Sequence, residues 1–137
     1  MCYTSSVTTT DKREWIVLFG HGSADSRWRA PLVALRDQLT GSDPGRGVAL
    51  AYLQFCEPTL HQALRACRDA GATRALVVPV FMSGGGHLLR DVPATIVAAA
   101  EHVPELSVRS SGALAEEPEV LEAMCRACLR LAGEAHS

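Results

Sequence analysis

Four short apolar runs, Trp15–Phe19, Val48–Leu53, Ala75–Val80 and the weaker Leu106–Ser111, recur along the chain, and each is followed by a stretch that reads as a helix. This alternation admits few folds. Runs without one polar face suit strands buried on both sides, as in a parallel sheet. Strand–helix repeats joined by connections of ordinary length wind right-handed and place helices on both faces. The reading is one α/β domain over residues 12–137, a three-layer sandwich around a four-stranded parallel sheet of order 2-1-3-4. Residues 1–11 are Ser/Thr-rich without period and read as a loose tail.

The helices carry their own signals. Pro31 suits a first helical turn, and Leu32, Leu35 and Leu39 then share a face. The breakers in Thr40–Gly47 predict a surface loop. Pro58 is expected as the first residue of a helix that packs Leu60, Leu64 and Cys67 inward and stops at Gly71. Asp91 is expected to cap a helix over Val92–Glu101. Glu116, Glu117 and Pro118 open a last helix with Leu121, Met124, Cys128 and Leu131 on one face. Cys125-x-x-Cys128 lies within it with no second Cys/His pair nearby, so those thiols read as core packing.

Bulk properties exclude some functions. A net charge of −2 argues against a general binder of nucleic acid or membrane surface. No stretch approaches the roughly 18–20 apolar residues of a membrane span. Five cysteines, an odd number, without a secretory signal lead to the expectation of free thiols in a reducing cytoplasm.

The chemistry concentrates where the first and third strands end. Trp15–Phe19 empties into Gly20-His21-Gly22-Ser23, and Ala75–Val80 leads to Ser83-Gly84-Gly85-Gly86-His87. In order 2-1-3-4 the winding reverses between those two strands, and ligands of open α/β sheets sit there. Two imidazoles facing one crevice with open positions suit a metal ion that arrives and leaves, or a proton acceptor near neutral pH. His61, His102 and His136 read as solvated. Glu57 precedes Pro58 at a helix start, where the dipole alone accounts for a carboxylate. The glycine loops also fit a phosphate cradle, but neither has a nucleotide-binding form and no lysine is near.

Phe19-Gly20-His21-Gly22-Ser23, Glu57-Pro58-Thr59-Leu60, Val78-Pro79-Val80-Phe81 and the run from Gly85-Gly86-His87 to Arg90-Asp91-Val92-Pro93 resemble the small sirohydrochlorin chelatases. These are the cobaltochelatases and ferrochelatases of cobalamin and sirohaem biosynthesis, and the resemblance covers residues 15–132. It implies a chelatase-like, flavodoxin-like fold, homodimeric pairing, and insertion of Co²⁺ (or Fe²⁺ or Ni²⁺) into a carboxylate-rich tetrapyrrole. No cofactor beyond that metal substrate is implied, and neither nucleic acid nor membrane is a partner. His21 and His87 match the family's metal-binding and proton-accepting pair. Gly22, Ser23, Ser83, Gly84, Gly85, Gly86 and Arg90 become candidates for holding the macrocycle, with Arg27 and Arg29 as further carboxylate partners.

One residue departs from the pattern. Three positions before Glu57 the family usually has an acid, and here stands Gln54. Glutamine is neutral, accepts no pyrrole proton and offers a metal only a carbonyl oxygen. Either the histidines suffice, or Glu57 compensates, or the chain is a non-catalytic metal or tetrapyrrole carrier on the same fold.

Overall fold

In a computed structural model the chain is described over residues 14–80 and 87–134, the side chains of 87–90 excepted. The elements alternate as β1 (Glu14–Gly20), α1 (Ala30–Ser42), β2 (Val48–Tyr52), α2 (Leu60–Asp69), β3 (Arg74–Pro79), α3 (His87–Glu101), β4 (Ser107–Ser110) and α4 (Pro118–Gly133). The four strands form one parallel sheet in the order β2-β1-β3-β4. That is the expected topology, and its switch point lies between β1 and β3.

The central strands are buried on both faces, which is why their sequences lack alternation. One face carries Val17, Phe19, Ala75 and Val77 under α2 and α3, which contribute Leu60, Leu64, Val92 and Ile96. The other carries Leu18, Val78 and Val80 under α1, through Leu32, Leu35 and Leu39. Leu64 is fully buried, so Leu64→Ala costs roughly 2–5 kcal/mol.

Several boundaries differ from the sequence reading, each for a local reason. Helix α1 runs through Ser42, three residues into the expected loop, with Gly41 tolerated inside it. Pro58 does not open α2. The N-cap is Thr59, whose hydroxyl accepts from the Gln62 amide at 3.2 Å while the Gln62 side chain accepts from the Thr59 amide at 2.8 Å. Such a reciprocal cap contributes about 1 kcal/mol and outweighs the preference of proline for the first turn. Gly71, with φ of 103°, does follow the end of α2 as expected. Helix α3 starts at His87, so Asp91 lies inside it and caps nothing.

The largest correction concerns α4. Its apolar residues do not reach the core: Leu121 is 53% exposed, Met124 44% and Leu131 57%. Cys125 and Cys128 are exposed, not packed. The helix leans on the preceding turn, Leu114–Glu116, and contributes no buried residue. The periodicity is real, but what it packs against is not within the described residues of this chain.

Candidate functional site

The sheet brings the ends of its three leading strands to one edge. The Val80 amide donates to the Phe19 carbonyl at 2.8 Å, carrying the β1–β3 ladder to the point where both chains leave the sheet. On the other side of β1, the Leu53 amide donates to the Gly20 carbonyl at 2.9 Å and the Gln54 amide to the His21 carbonyl at 3.1 Å. His21 is therefore held by backbone bonds against the residue that departs from the family pattern.

Gly22 makes this approach possible. Its φ is +97°, and a Cβ there would lie 1.9 Å from the Gln54 carbonyl oxygen. Only glycine permits both the dihedral and the contact. The side chains meet as well: Gln54 Nε2 stands 3.3 Å from His21 Nε2. On the other side of the ring, Nδ1 lies 3.5 Å from the Gly22 carbonyl oxygen. An imidazole protonated at Nδ1 satisfies both neighbours, leaving the Nε2 lone pair occupied by the Gln54 amide. Any ligand that took this nitrogen would have to displace that amide.

In front of His21 opens a cavity of about 770 Å³, within the roughly 300–1,000 Å³ of small-molecule sites. Trp28, Pro31, Leu32, Tyr52, Phe55 and Val80 supply its apolar wall, and Ser23 and Arg29 line it too. Trp28 is 76% exposed and Phe55 67%, so two large rings stand in water at its mouth. Phe55 has a φ of +72°, and its ring centroid is 6.3 Å from that of His21. A bulky residue in that region of backbone space is strained, and such strain clusters at ligand sites. Tyr52, at the cavity floor, has its phenol pushed up by burial.

The other expected residues divide. Arg29 lines the cavity, and its Nη1 donates to the Ser23 carbonyl at 3.1 Å, fixing the loop after His21. Ser23 Oγ accepts from the Asp25 amide at 3.1 Å and keeps its hydroxyl hydrogen to donate. Arg27 is already committed to Asp25 at 2.7 Å, and that bond holds the Asp25 carboxyl below its usual range. Glu57 accepts from the Gln62 side chain at 3.3 Å, beside the α2 cap and away from the cavity. Ser83, Gly84, Gly85 and Gly86 lie outside the described residues, as does His136. His87 and Arg90 are placed only by backbone, in the first turn of α3.

The sequence model of the CbiX family matches residues 15–130. The chain belongs to the CbiX family. Among curated proteins it is 38% identical over 80 residues to the sirohydrochlorin cobaltochelatase of Methanocaldococcus jannaschii, covering 58% of this chain and 56% of that one. A sirohydrochlorin ferrochelatase of Priestia megaterium is 32% identical over 59 residues, 43% of this chain and 22% of that one. The matched region thus spans about half the length of the first of these, and less of the second.

Solved structures extend the CbiX likeness to the whole fold. A putative cobalamin biosynthesis CbiX protein from Marinobacter aquaeolei superposes with a TM-score of 0.78 at 26% identity, over 89% of this chain and 99% of that one. The sirohydrochlorin chelatase SirB of Bacillus subtilis subspecies spizizenii, in complex with cobalt, gives a TM-score of 0.69 at 25% identity, over 82% of this chain but 48% of SirB.

For a CbiX chain, the aromatic pair Trp28 and Phe55 is what sequence reading missed. Both are single exposed rings in polar stretches, and no period marks them. The contact of Gln54 with His21 had a signal. Gly20 pairs with Tyr52 in the β1–β2 register, which brings His21, one residue beyond Gly20, against Gln54, two beyond Tyr52.

Proposed function

We propose that this chain inserts a divalent metal, Co²⁺ first, with Fe²⁺ or Ni²⁺ as alternatives, into sirohydrochlorin or a closely similar tetrapyrrole. The observation that carries this is His21 at the rim of a 770 Å³ cavity whose mouth is formed by Trp28 and Phe55, in a chain of the CbiX family. A flat macrocycle lies against those rings, where aromatic contact adds about 0.5–1.5 kcal/mol beyond area burial. Its carboxylates take the Arg29 guanidinium and the Ser23 hydroxyl, with Ser83, Arg90 and the backbone of Gly84–Gly86 as the further partners that the family resemblance implies.

His21 offers Nε2 to the arriving metal once the Gln54 amide swings away, and His87 is the second ligand and proton acceptor of this reading. As the ion enters the ring, the two pyrrole protons pass to these imidazoles and on to solvent, so charge and atoms balance. No cofactor besides the metal substrate takes part. The setting is the cytoplasm. Among the described residues no helix is long and apolar enough to cross a membrane.

The functional unit in this reading is a homodimer, with the exposed face of α4 as the surface that the second copy covers. Sedimentation at micromolar concentration gives a dimer for the wild type and a monomer for Leu121→Glu/Leu131→Glu. A wild-type monomer with full activity would reject this part.

The test of the whole is absorbance of sirohydrochlorin mixed with each metal in turn, with and without protein. The expected result is insertion well above the uncatalysed rate for at least one metal, lost in His21→Ala. Absence of acceleration with every metal overturns it. The carrier reading is favoured by one observation, the Gln54 amide seated on His21 Nε2, and it predicts a spectral shift on binding without turnover.

A further inference from the structure

His61 and His102 were read from the sequence as separate solvated residues, yet their rings stand together. Their centroids are 4.8 Å apart and the planes are tilted by 35°. His61 is half-buried near the start of α2, and His102 is exposed just past the end of α3. Two imidazoles on neighbouring positions of one metal, with metal–nitrogen bonds of about 2.0–2.1 Å, hold their centroids roughly 4.5–5 Å apart. We propose that His61 and His102 form a second site for a divalent first-row transition metal, separate from His21.

The surroundings suit such an ion. Both histidines line a groove of about 320 Å³, together with Thr59, Leu60, Thr95 and Ala98. No third His, Cys, Asp or Glu completes a ligand cluster among the described residues, so water fills the remaining positions. An ion held by two neutral imidazoles and water exchanges readily, unlike one in a closed structural site. The carbonyl end of α3 favours a bound cation beside the His102 ring and offsets Arg65, which stands one turn along α2 from His61.

The groove also leads somewhere. Leu53, Thr95 and Ala98 line it and line a second hollow that contains Gln54 and Asp91. Asp91, Thr95, Ala98 and His102 form one stripe along α3. At 1.5 Å per residue, the histidine pair lies about 16 Å from Asp91. A metal released from the pair therefore meets the Thr95 hydroxyl and the Asp91 carboxylate before it reaches the amide beside His21.

The test uses Ni²⁺ alone, measured by equilibrium dialysis on full-length protein carrying His21→Ala/His87→Ala. Its outcome does not depend on whether the crevice binds metal or catalyses insertion. One Ni²⁺ per chain is expected to remain. Adding either His61→Ala or His102→Ala removes that same ion, weakening binding by more than the roughly 10–100-fold lost with an outer-shell partner. Circular dichroism checks folding, and His61→Gln repeats the measurement with a side chain of similar bulk. If either variant holds Ni²⁺ as tightly as its parent, the rings are merely stacked and the proposal fails.

Discussion

Replacing Gly22 by alanine is expected to damage the fold and the site together, and the two costs can be separated. The added Cβ meets the Gln54 carbonyl oxygen at 1.9 Å and the Tyr52 Cβ at 3.2 Å. Backbone must retreat by more than 1 Å to restore ordinary contact distance, which breaks the 3.1 Å bond from the Gln54 amide to the His21 carbonyl. Holding a non-glycine residue at a φ of +97° costs about 1–3 kcal/mol. Loss of the hydrogen bond adds about 0.5–1.5 kcal/mol, for a total of about 2–4 kcal/mol. For a domain of this size each kcal/mol shifts Tm by roughly 3–5 °C, so a fall of roughly 6–20 °C is expected. Gly45→Ala is the control, because its φ is +95° but nothing lies within 4 Å of the new Cβ. It bears the dihedral cost alone. Thermal unfolding by circular dichroism gives both shifts, and the insertion assay reads the displacement of His21 from Gln54. If Gly22→Ala is no less stable than Gly45→Ala, the contact with Gln54 does not hold the site together as argued.

Gln54→Glu is expected to raise the insertion rate toward 10²-fold at most, since a carboxylate accepts from His21 and shares the proton-accepting work; His87→Ala in the same assay should lose most activity. An inactive wild type rescued by Gln54→Glu would favour the carrier reading, and unimpaired His87→Ala would refute the site. Phe55→Gly removes a strained φ and a stacking ring at once, so Tm should rise while KM for the macrocycle rises with little change in kcat. A fall in both would show that Phe55 supports the fold instead. The Glu14 carboxyl is held below its ordinary value of 4.5 chiefly by its hydrogen bond to Arg109, and burial only partly opposes this. Its contribution is therefore present above pH 4.5 and lost as pH falls through the lowered value. Acid titration of stability should show a shallower loss in Arg109→Ala, and an unchanged profile would remove the pair from the account.

What the sequence disclosed and what it hid follow physical lines. The strands were legible because short β-branched apolar runs alternate with helical patterns, and that alternation leaves few sheet orders. His21 could be placed because a glycine-flanked histidine at a strand end has one position in such a topology. Helix starts were harder: Pro58 and Asp91 are good local signals, but the Thr59–Gln62 cap and the earlier start of α3 outcompeted them. The apolar stripe of α4 was visible, whereas its lack of a partner depends on a surface the period does not describe. Phe55 and Trp28 gave no pattern because exposed residues lining a cavity follow no core period. His61 and His102 sit 41 positions apart, and only the packing of α2 against α3 unites them.

Among the described residues, the ion pairs that span long stretches of chain gather at one end of the sheet. Arg109 reaches Glu14 at 2.8 Å and Arg68 reaches Glu105 at 3.2 Å, while Arg46 pairs locally with Asp43 and donates to the Glu14 carbonyl. All lie where the strands begin, opposite His21. Each exposed pair is weak alone, but together they pin the edge that does no chemistry. Among the described residues, the edge with the cavity is joined by the single backbone bonds of Leu53, Gln54 and Val80, so it is expected to open first when the molecule breathes. In hydrogen exchange, the amides of Leu53, Gln54 and Val80 should trade their protons well before those of Ile16 and Val17. In the proposed reaction, a flat macrocycle would be admitted and let go by parting three strand ends, while the far edge keeps the register for the next one.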